Sequence, residues 1–435
     1  MGFRDFILKG DLCHSKTPDV LECWENSVLV CDKGKSAGVF PFPPDQYKGF
    51  PVHDYTGKLI IPGLVDLHTH APQFSLRGFG MDRELLDWLE AAVFPEEAKY
   101  GDRGYSRLAY AALVEDLKKG ATTRACLFAT VHSETTLMLM DMLEESGLVC
   151  MAGKVSMDRN CPESLREQDG EAAVLDWLDR CGAYRNTAPI LTPRFIPSCT
   201  GRLLRRLGEI RKQRRLPVQS HLSENRREIR LVKELCPGSA TYAEAYKRFG
   251  LLGADAPALM AHCVWSSDEE LALLAEERVF VAHCPQSNSN LSSGAAPARR
   301  FLTAGVPAGL GTDVAGGAHT SLFRAMTDAV QVSKLRQALA FEAERPLSFE
   351  EAFYLGTRGG GAFFGAAGCF DPGYELDAVV IDDAPLSPPF TLSLRDRLER
   401  AAYLSDDRHI TAKYIRGTAV GCFTPCGGFT CFSRR

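Results

Sequence analysis

Between about residues 60 and 315, apolar runs of four to eight residues alternate with amphipathic helical stretches. That alternation is the signature of βα units around a parallel sheet, and it narrows the fold more than any other feature of the chain. Eight strands are predicted: Leu64–His70, Thr122–Phe128, Val149–Val155, Ile190–Phe195, Leu216–His221, Leu259–Cys263, Val279–Cys284 and Ala308–Asp313. Helices are expected between most of them, among others Arg107–Lys119, Glu171–Arg180, Arg202–Arg214 and Asp268–Glu277. Eight such units fit an α/β fold of the (β/α)8 TIM-like barrel type. The ends read differently. Short apolar runs broken by turn residues, such as Phe6–Gly10, Ser27–Cys31 and Glu375–Asp382, predict β structure. The expected organisation is a catalytic barrel over 61–370, with segments 1–60 and 371–435 meeting in one small accessory domain.

The chemistry collects at the C-terminal ends of the predicted strands, the rim where barrel active sites lie. Strand one ends in His68-Thr69-His70, strand five in His221, strand six in His262, strand seven in His283 and strand eight in Asp313. Strand side chains alternate, so His68 and His70 face one way and can grip a single cation. An isolated His-x-His is equally two unrelated polar residues. The convergence of His221 and Asp313 from other strands is what makes a metal site the expectation. His262 is either a further ligand or a hydrogen-bond partner of the metal's water. His283 either orients groups around the rim or is a satisfied core histidine. Glu224 lies three residues after His221 and is expected to move protons, although a first-turn acid of the following Arg226–Leu235 helix would also suit the helix dipole. Asp313 can touch the metal and take a proton from its water, whose pKa a divalent ion lowers from 15.7 to about 7. Gly309 and Gly311 permit tight packing beneath it.

Composition excludes several classes. The 435 residues carry 50 Lys+Arg and 55 Asp+Glu, a net charge of −5, with 45% hydrophobic residues. That balance belongs to a globular enzyme and argues against nucleic acid or anionic lipid as a partner. No apolar run approaches the ~18 residues of a membrane span, and the N-terminus lacks the apolar core of a signal peptide. The 15 cysteines are odd in number and form no Cys-x-x-Cys pair, which predicts free thiols in the cytoplasm. Cys422, Cys426 and Cys431 cluster in the tail at a spacing that matches no zinc template. The basic run Arg211–Arg215 is expected to be a solvated helix end. No Walker A motif is present, and His132-Ser133-Glu134 lacks the downstream cysteine pair of cytidine-type deaminases.

Several words of the chain resemble the amidohydrolase superfamily, and within it the guanine deaminase family. They are Pro62-Gly63-Leu64-Val65-Asp66-Leu67-His68-Thr69-His70-Ala71-Pro72-Gln73, Thr192-Pro193-Arg194-Phe195, Ser220-His221-Leu222-Ser223-Glu224-Asn225, Met260-Ala261-His262-Cys263, His283-Cys284-Pro285-Gln286-Ser287-Asn288 and Gly311-Thr312-Asp313-Val314-Ala315-Gly316-Gly317. The resemblance runs from about residue 58 to 385. It implies a distorted barrel with a small β-sandwich domain built from both chain ends, a homodimer, and hydrolysis of guanine to xanthine and ammonia. It also implies one zinc, for which iron is an alternative on donor chemistry. By motif, His68, His70, His221 and Asp313 would hold the metal, with His262 adjacent or ligating. Gln73, Arg194 and Phe195 would bind the purine next to His70, His221, Glu224 and Asp313. An Arg fork matches the O6 and N7 acceptors of guanine. Gln73 can donate and accept at the edge near N3 and the amino group. Phe195 either stacks on the base or packs in the core. Relatives with two metals carry a lysine at the end of strand four, where this chain has Leu191-Thr192-Pro193-Arg194, and Lys154 is the nearest substitute. The segment Ala71–Glu90 is expected to cover the site through Phe74, Phe79 and Trp88. Alternatives are a deaminase of an oxidised guanine, a pterin or a triazine, or an inactive scaffold.

Overall fold

The structure, a computed structural model, describes residues 5–253, 255–340 and 344–421. Eight parallel strands form in the centre, arranged as two four-stranded sheets. The first holds Leu64–His70, Thr122–Phe128, Val149–Gly153 and Thr187–Pro189. The second holds Val218–Leu222, Ala258–His262, Phe280–His283 and Ala308–Leu310. Every residue of Leu64–His70 and Thr122–Phe128 is buried, as expected of parallel strands covered on both faces.

The sheets meet at two seams. At one, Leu191 bridges Val218, and Gln219 N donates to Leu191 O at 2.8 Å. At the other, Asp313 N donates to His68 O at 2.8 Å and His70 N to Val314 O at 3.2 Å. The expected closed ring is therefore met as two arcs joined by isolated hydrogen bonds, not as one continuous ladder. Proline explains the first seam. Strand four forms as two short pieces, Thr187–Pro189, which lies before the predicted Ile190–Phe195, and Thr192–Pro193, paired with Val155–Ser156; Pro189 and Pro193 have no N–H to donate. At the second, the last ladder ends at Leu310, short of the predicted Asp313.

The chain ends do meet, in a single seven-stranded sheet. Phe6–Thr17, Val20–Asp32, Lys35–Phe40 and Val52–Pro62 come from the N-terminal side, and Ala378–Ile381, Ile410–Ile415 and Thr418–Ala419 from the C-terminal side. Val52–Pro62 joins the two groups, parallel to Phe6–Thr17 and antiparallel to Ala378–Ile381. One sheet thus stands where a sandwich was expected. Gly63 alone separates it from the first central strand, and a Cβ there would lie 2.2 Å from Thr123 Oγ1, so the junction admits no side chain. Two buried basic side chains tie the sheet to the centre. Arg124 donates to Asp377 at 2.6 Å and Glu375 at 2.8 Å, and Lys413 Nζ donates to the carbonyls of Leu117, Gly120 and Thr122.

The predicted helices form with small changes at their ends, where Asp102, Asp169, Thr200, Asn225 and Ser267 each accept a first-turn N–H. The C-terminal segment is not purely β. Helix Leu394–Leu404, capped by Ser393, buries Leu394, Leu398, Ala401 and Ala402 in the same core cluster as residues of helix Leu322–Ala340. The basic run is also corrected at one position. Arg211 is buried, and its guanidinium donates to Gly253 O at 2.8 Å and to Ala256 O, holding a loop that would otherwise leave carbonyls unpaired. Cys422, Cys426 and Cys431 lie outside the described residues. Among the described residues no helix is long and apolar enough to cross a membrane.

Candidate active site

Strand termini from both sheets deliver five side chains to one point on the rim. His68 Nε2 lies 3.1 Å and His70 Nε2 3.4 Å from Asp313 Oδ1, and His262 Nε2 lies 3.7 Å from Asp313 Oδ2. His221 Nε2 is 3.2 Å from His70 Nε2. His68, His70 and Asp313 form one metal-capable group, and His68, His221 and His262 another that shares His68. The five are buried or nearly so. Burial, followed by the neighbouring imidazoles, pushes His70 and His221 well below the usual histidine range. Burial alone would raise Asp313, but His68, His262 and His70 hold it well below the usual carboxylate range. Metal binding requires deprotonated ligands, and the shifts at His70, His221 and Asp313 run in that direction.

The donor geometry fits a cation. His221 Nδ1 donates to Arg194 O at 2.6 Å, and His262 Nδ1 donates to Asn288 Oδ1 at 2.8 Å. With these outer nitrogens carrying the hydrogens, both Nε2 lone pairs point inward, the orientation that second-shell partners give to ligating histidines. His68 Nε2 and His262 Nε2 are fully buried without a hydrogen-bond partner. Two orphaned imidazole nitrogens beside a buried carboxylate are costly unless a cation satisfies them. Asp66 supports the group from beneath, accepting from His68 N and from the N–H and hydroxyl of Thr312, and burial raises it to about 6. Gly311 allows this closeness, since a Cβ there would meet Cys284 Sγ at 2.8 Å and His68 Cβ at 2.9 Å.

Glu224 completes the polar side. Its Oε2 is 3.4 Å from His262 Nε2, and Oε1 accepts from Ser293 Oγ at 3.1 Å. Burial, reinforced by the Asp313 charge, raises it to about 8, so an acid rather than a carboxylate faces the site near neutrality. The helix that follows is capped by Asn225 and Glu228, not by Glu224. Glu224 is thus free to face the cavity instead of the helix end.

A cavity opens beside the cluster. His70, Gln73, Arg194, Phe195, His221, Glu224, His262 and Asp313 all line it, so it gathers every expected site residue except His68. Leu85, Trp88, Leu89 and Leu291 supply its apolar wall. Of the expected cover, Trp88 lines the cavity, Phe74 is buried next to it in the same apolar cluster, and Phe79 points outward at 66% exposure. Phe195 contributes to both cavity and core, with its ring 6.4 Å from that of His221.

Other residues fall outside. His283 does not line the cavity; it packs edge-on to Phe301, and burial lowers it to about 3. Lys154 is buried and paired with Glu167, so it is not available to bridge two metals. His14, Cys369 and Asp371 form a second group at the terminal sheet, but Lys16 and Arg358 already neutralise Asp371. Sequence reasoning missed Glu97, which accepts from both Arg194 and Gln73, and gave no role to Asp66 and Asn288, which orient ligand-capable groups. Asp66 is visible two residues before His68 on the same strand face. Nothing near Glu97 in the sequence marks it.

The sequence matches the amidohydrolase family over residues 59–420. The guanine deaminase of Dictyostelium discoideum is 38% identical over 380 residues, covering 85% of this chain and 84% of its own. That of Homo sapiens is 35% identical over 451 residues, covering 96% and 97% respectively. Among solved structures, the guanine deaminase from C. acetobutylicum with guanine bound in the active site superposes with a TM-score of 0.93 at 44% identity, covering 96% of this chain and all of that one.

Proposed function

The chain belongs to the amidohydrolase family and, within it, to the guanine deaminases, and from that premise we propose that the cavity hydrolyses guanine to xanthine and ammonia. The observation that carries the reading is a single cavity lined both by Arg194, Gln73 and Phe195 and by His70, His221, His262, Asp313 and Glu224.

Arg194 presents its fork to O6 and N7 of the purine, and Gln73 donates and accepts at the edge near N3 and the amino group. Phe195, Trp88 and Leu89 exclude water around the base. His68, His70, His221 and Asp313 hold one metal per chain, zinc or iron, with His262 adjacent or ligating. Such a cation, when bound, supplies Lewis acidity and lowers the pKa of a water to about 7. Glu224, protonated near neutrality, places its proton on N3 as C2 is attacked, and takes the proton of the new C2 hydroxyl as the C2–N bond breaks, which restores the acid. Asp313, held as a carboxylate, accepts the proton that the attacking water sheds and delivers it to the departing amine. His262 Nε2 stands between the two carboxyl groups, 3.4 Å from Glu224 and 3.7 Å from Asp313, and as an acceptor it faces the Glu224 proton. No lysine bridges a second metal, which favours a mononuclear site.

The two arcs are read as a distorted (β/α)8 barrel over 61–370, and segments 1–60 and 371–435 as its small β domain. A cytoplasmic homodimer acting in purine catabolism completes the proposal. Incubating metal-loaded protein with guanine and following both products tests the activity. Equal yields of xanthine and ammonia that vanish on chelation are expected. Faster turnover of a pterin, triazine or oxidised guanine in a parallel panel would reassign the substrate.

A further inference from the structure

Behind the substrate wall lies a buried carboxylate with no place in the chemistry above. Glu97, on helix Phe94–Ala98, is 1% exposed. Its Oε2 accepts from Arg194 Nη1 at 2.6 Å and its Oε1 accepts from Gln73 Nε2 at 3.1 Å. One carboxylate thus holds both polar residues that face the purine, without itself lining the cavity.

Gln73 is fixed at its other end too, because Gln73 Oε1 accepts from Ala315 N at 3.3 Å. A flipped amide would set its oxygen against the Glu97 carboxylate, so its donor and acceptor are assigned. Each retains one hydrogen or lone pair for a ligand. Arg194 is held likewise. Glu97 takes Nη1 and the Phe94 ring lies 5.3 Å from the guanidinium carbon, which leaves the remaining donors for the ligand.

The electrostatic consequence is larger than the geometric one. A guanidinium buried without a counter-charge draws an anion strongly. With Glu97 against it the wall carries no net charge, and an anionic ligand would meet the carboxylate's field behind Arg194. Guanine is neutral near pH 7, whereas xanthine is the stronger acid and becomes an anion as pH rises. We propose that Glu97 is a positioning residue that tunes this wall for neutral purines and against purine anions, the ionised product among them. The inference rests on the purine-binding reading of Arg194 and Gln73.

The test compares wild type with Glu97→Gln, which keeps the shape and removes the charge, and Glu97→Asp, which keeps the charge and shortens the reach. Guanine KM and kcat are measured with xanthine inhibition at pH 6 and pH 8. Hypoxanthine, a weaker acid than xanthine, stays mostly neutral at both and is the reference for any change in the site itself. For Glu97→Gln, guanine KM is expected to rise about tenfold with kcat changing much less, while xanthine at pH 8 binds about tenfold tighter than to wild type. For Glu97→Asp, KM rises but the wild-type discrimination against the xanthine anion persists. Parallel weakening of guanine, hypoxanthine and xanthine at both pH values would mark a merely loosened pocket and overturn the proposal, as would no change at all. Should Glu97→Gln not fold, the wild type decides: xanthine inhibition, taken relative to hypoxanthine, must weaken from pH 6 to pH 8. If wild type does not turn over guanine, the substrate reading fails separately, and calorimetric binding of the same purines still tests Glu97.

Discussion

A methyl group at position 311 would lie 2.8 Å from Cys284 Sγ, 2.9 Å from His68 Cβ and 3.1 Å from His68 O. Ordinary contact begins at 3.4 Å, so strand eight would have to retreat from strand one by about half an ångström. Neither neighbour can yield, because Cys284 and His68 are both buried. The retreat falls on the seam, where Asp313 N donates to His68 O at 2.8 Å and His68 Nε2 approaches Asp313 Oδ1 at 3.1 Å. Overpacking of this kind costs about 1–3 kcal/mol. A displacement approaching 1 Å at a catalytic group costs about 100-fold in rate. Gly311→Ala is therefore expected to unfold a few degrees lower, to retain less metal per chain, and to lose about one to two orders of magnitude in kcat/KM. Thermal unfolding, elemental analysis and guanine kinetics measure the three. Gly49→Ala is the control, since a Cβ there meets nothing within 4 Å. If Gly311→Ala keeps wild-type metal content and kcat/KM, the claim that close strand approach sets the ligand geometry is wrong.

Glu224→Gln should lower kcat by about 10²–10⁴-fold while metal content stays at the wild-type level, because the proton donor is lost and the histidine–Asp313 group is not. Equal loss of metal and activity would show Glu224 acting as a ligand instead. Chelation should abolish turnover and lower the unfolding temperature together, with zinc restoring both, since a cation that binds only the folded chain stabilises it; an unchanged unfolding temperature after complete metal removal would contradict this. Lys413 gives a pH test far from the site. Burial pushes it from 10.5 down to about 7, so between those values the unfolded chain holds a proton that the folded chain has released. Stability then rises with pH by up to about 1.4 kcal/mol per unit, a gain that Lys413→Met lacks. Urea unfolding at pH 7, 8 and 9 should show the wild type gaining on the variant, and a constant difference would place the folded pKa near its ordinary value.

The central strands were legible because burial on both faces demands unbroken apolar runs, and Leu64–His70 and Thr122–Phe128 form with the predicted bounds. The ligand-capable residues were legible for a related reason: a polar side chain closing such a run has little purpose except at the rim. The break in strand four was equally written in Pro189 and Pro193, yet an apolar run drew attention away from the missing donors. Helix Leu394–Leu404 shows the same oversight, with its Ser393 cap and a buried stripe of period near 3.6 in a segment read for its β content. Glu97 is different in kind. Its meaning depends on Gln73, 24 positions before it, and Arg194, 97 positions after it, and no local pattern encodes that meeting.

The backbone shows where folding and function were set against each other. Ser223, His262 and Asp313 all adopt left-handed conformations, with φ of 48°, 77° and 47°. Such conformations cost a non-glycine residue about 1–3 kcal/mol each when strained. All three stand at or just after strand ends on the rim, where the chain must leave the ladder and still aim a side chain at one point. His262 and Asp313 are themselves in the cluster, and Ser223 separates His221 and Leu222 from Glu224. Glycine would relieve the strain at positions 262 and 313 but would delete the groups that the site needs. The strain is therefore sustained by the apolar layers beneath, where Leu67, Leu259, Ala261, Ala282 and Cys284 pack as one buried cluster under the rim. A variant that loosens that layer should release these three conformations before it unfolds the sheet, so metal retention should fall at temperatures below the global transition.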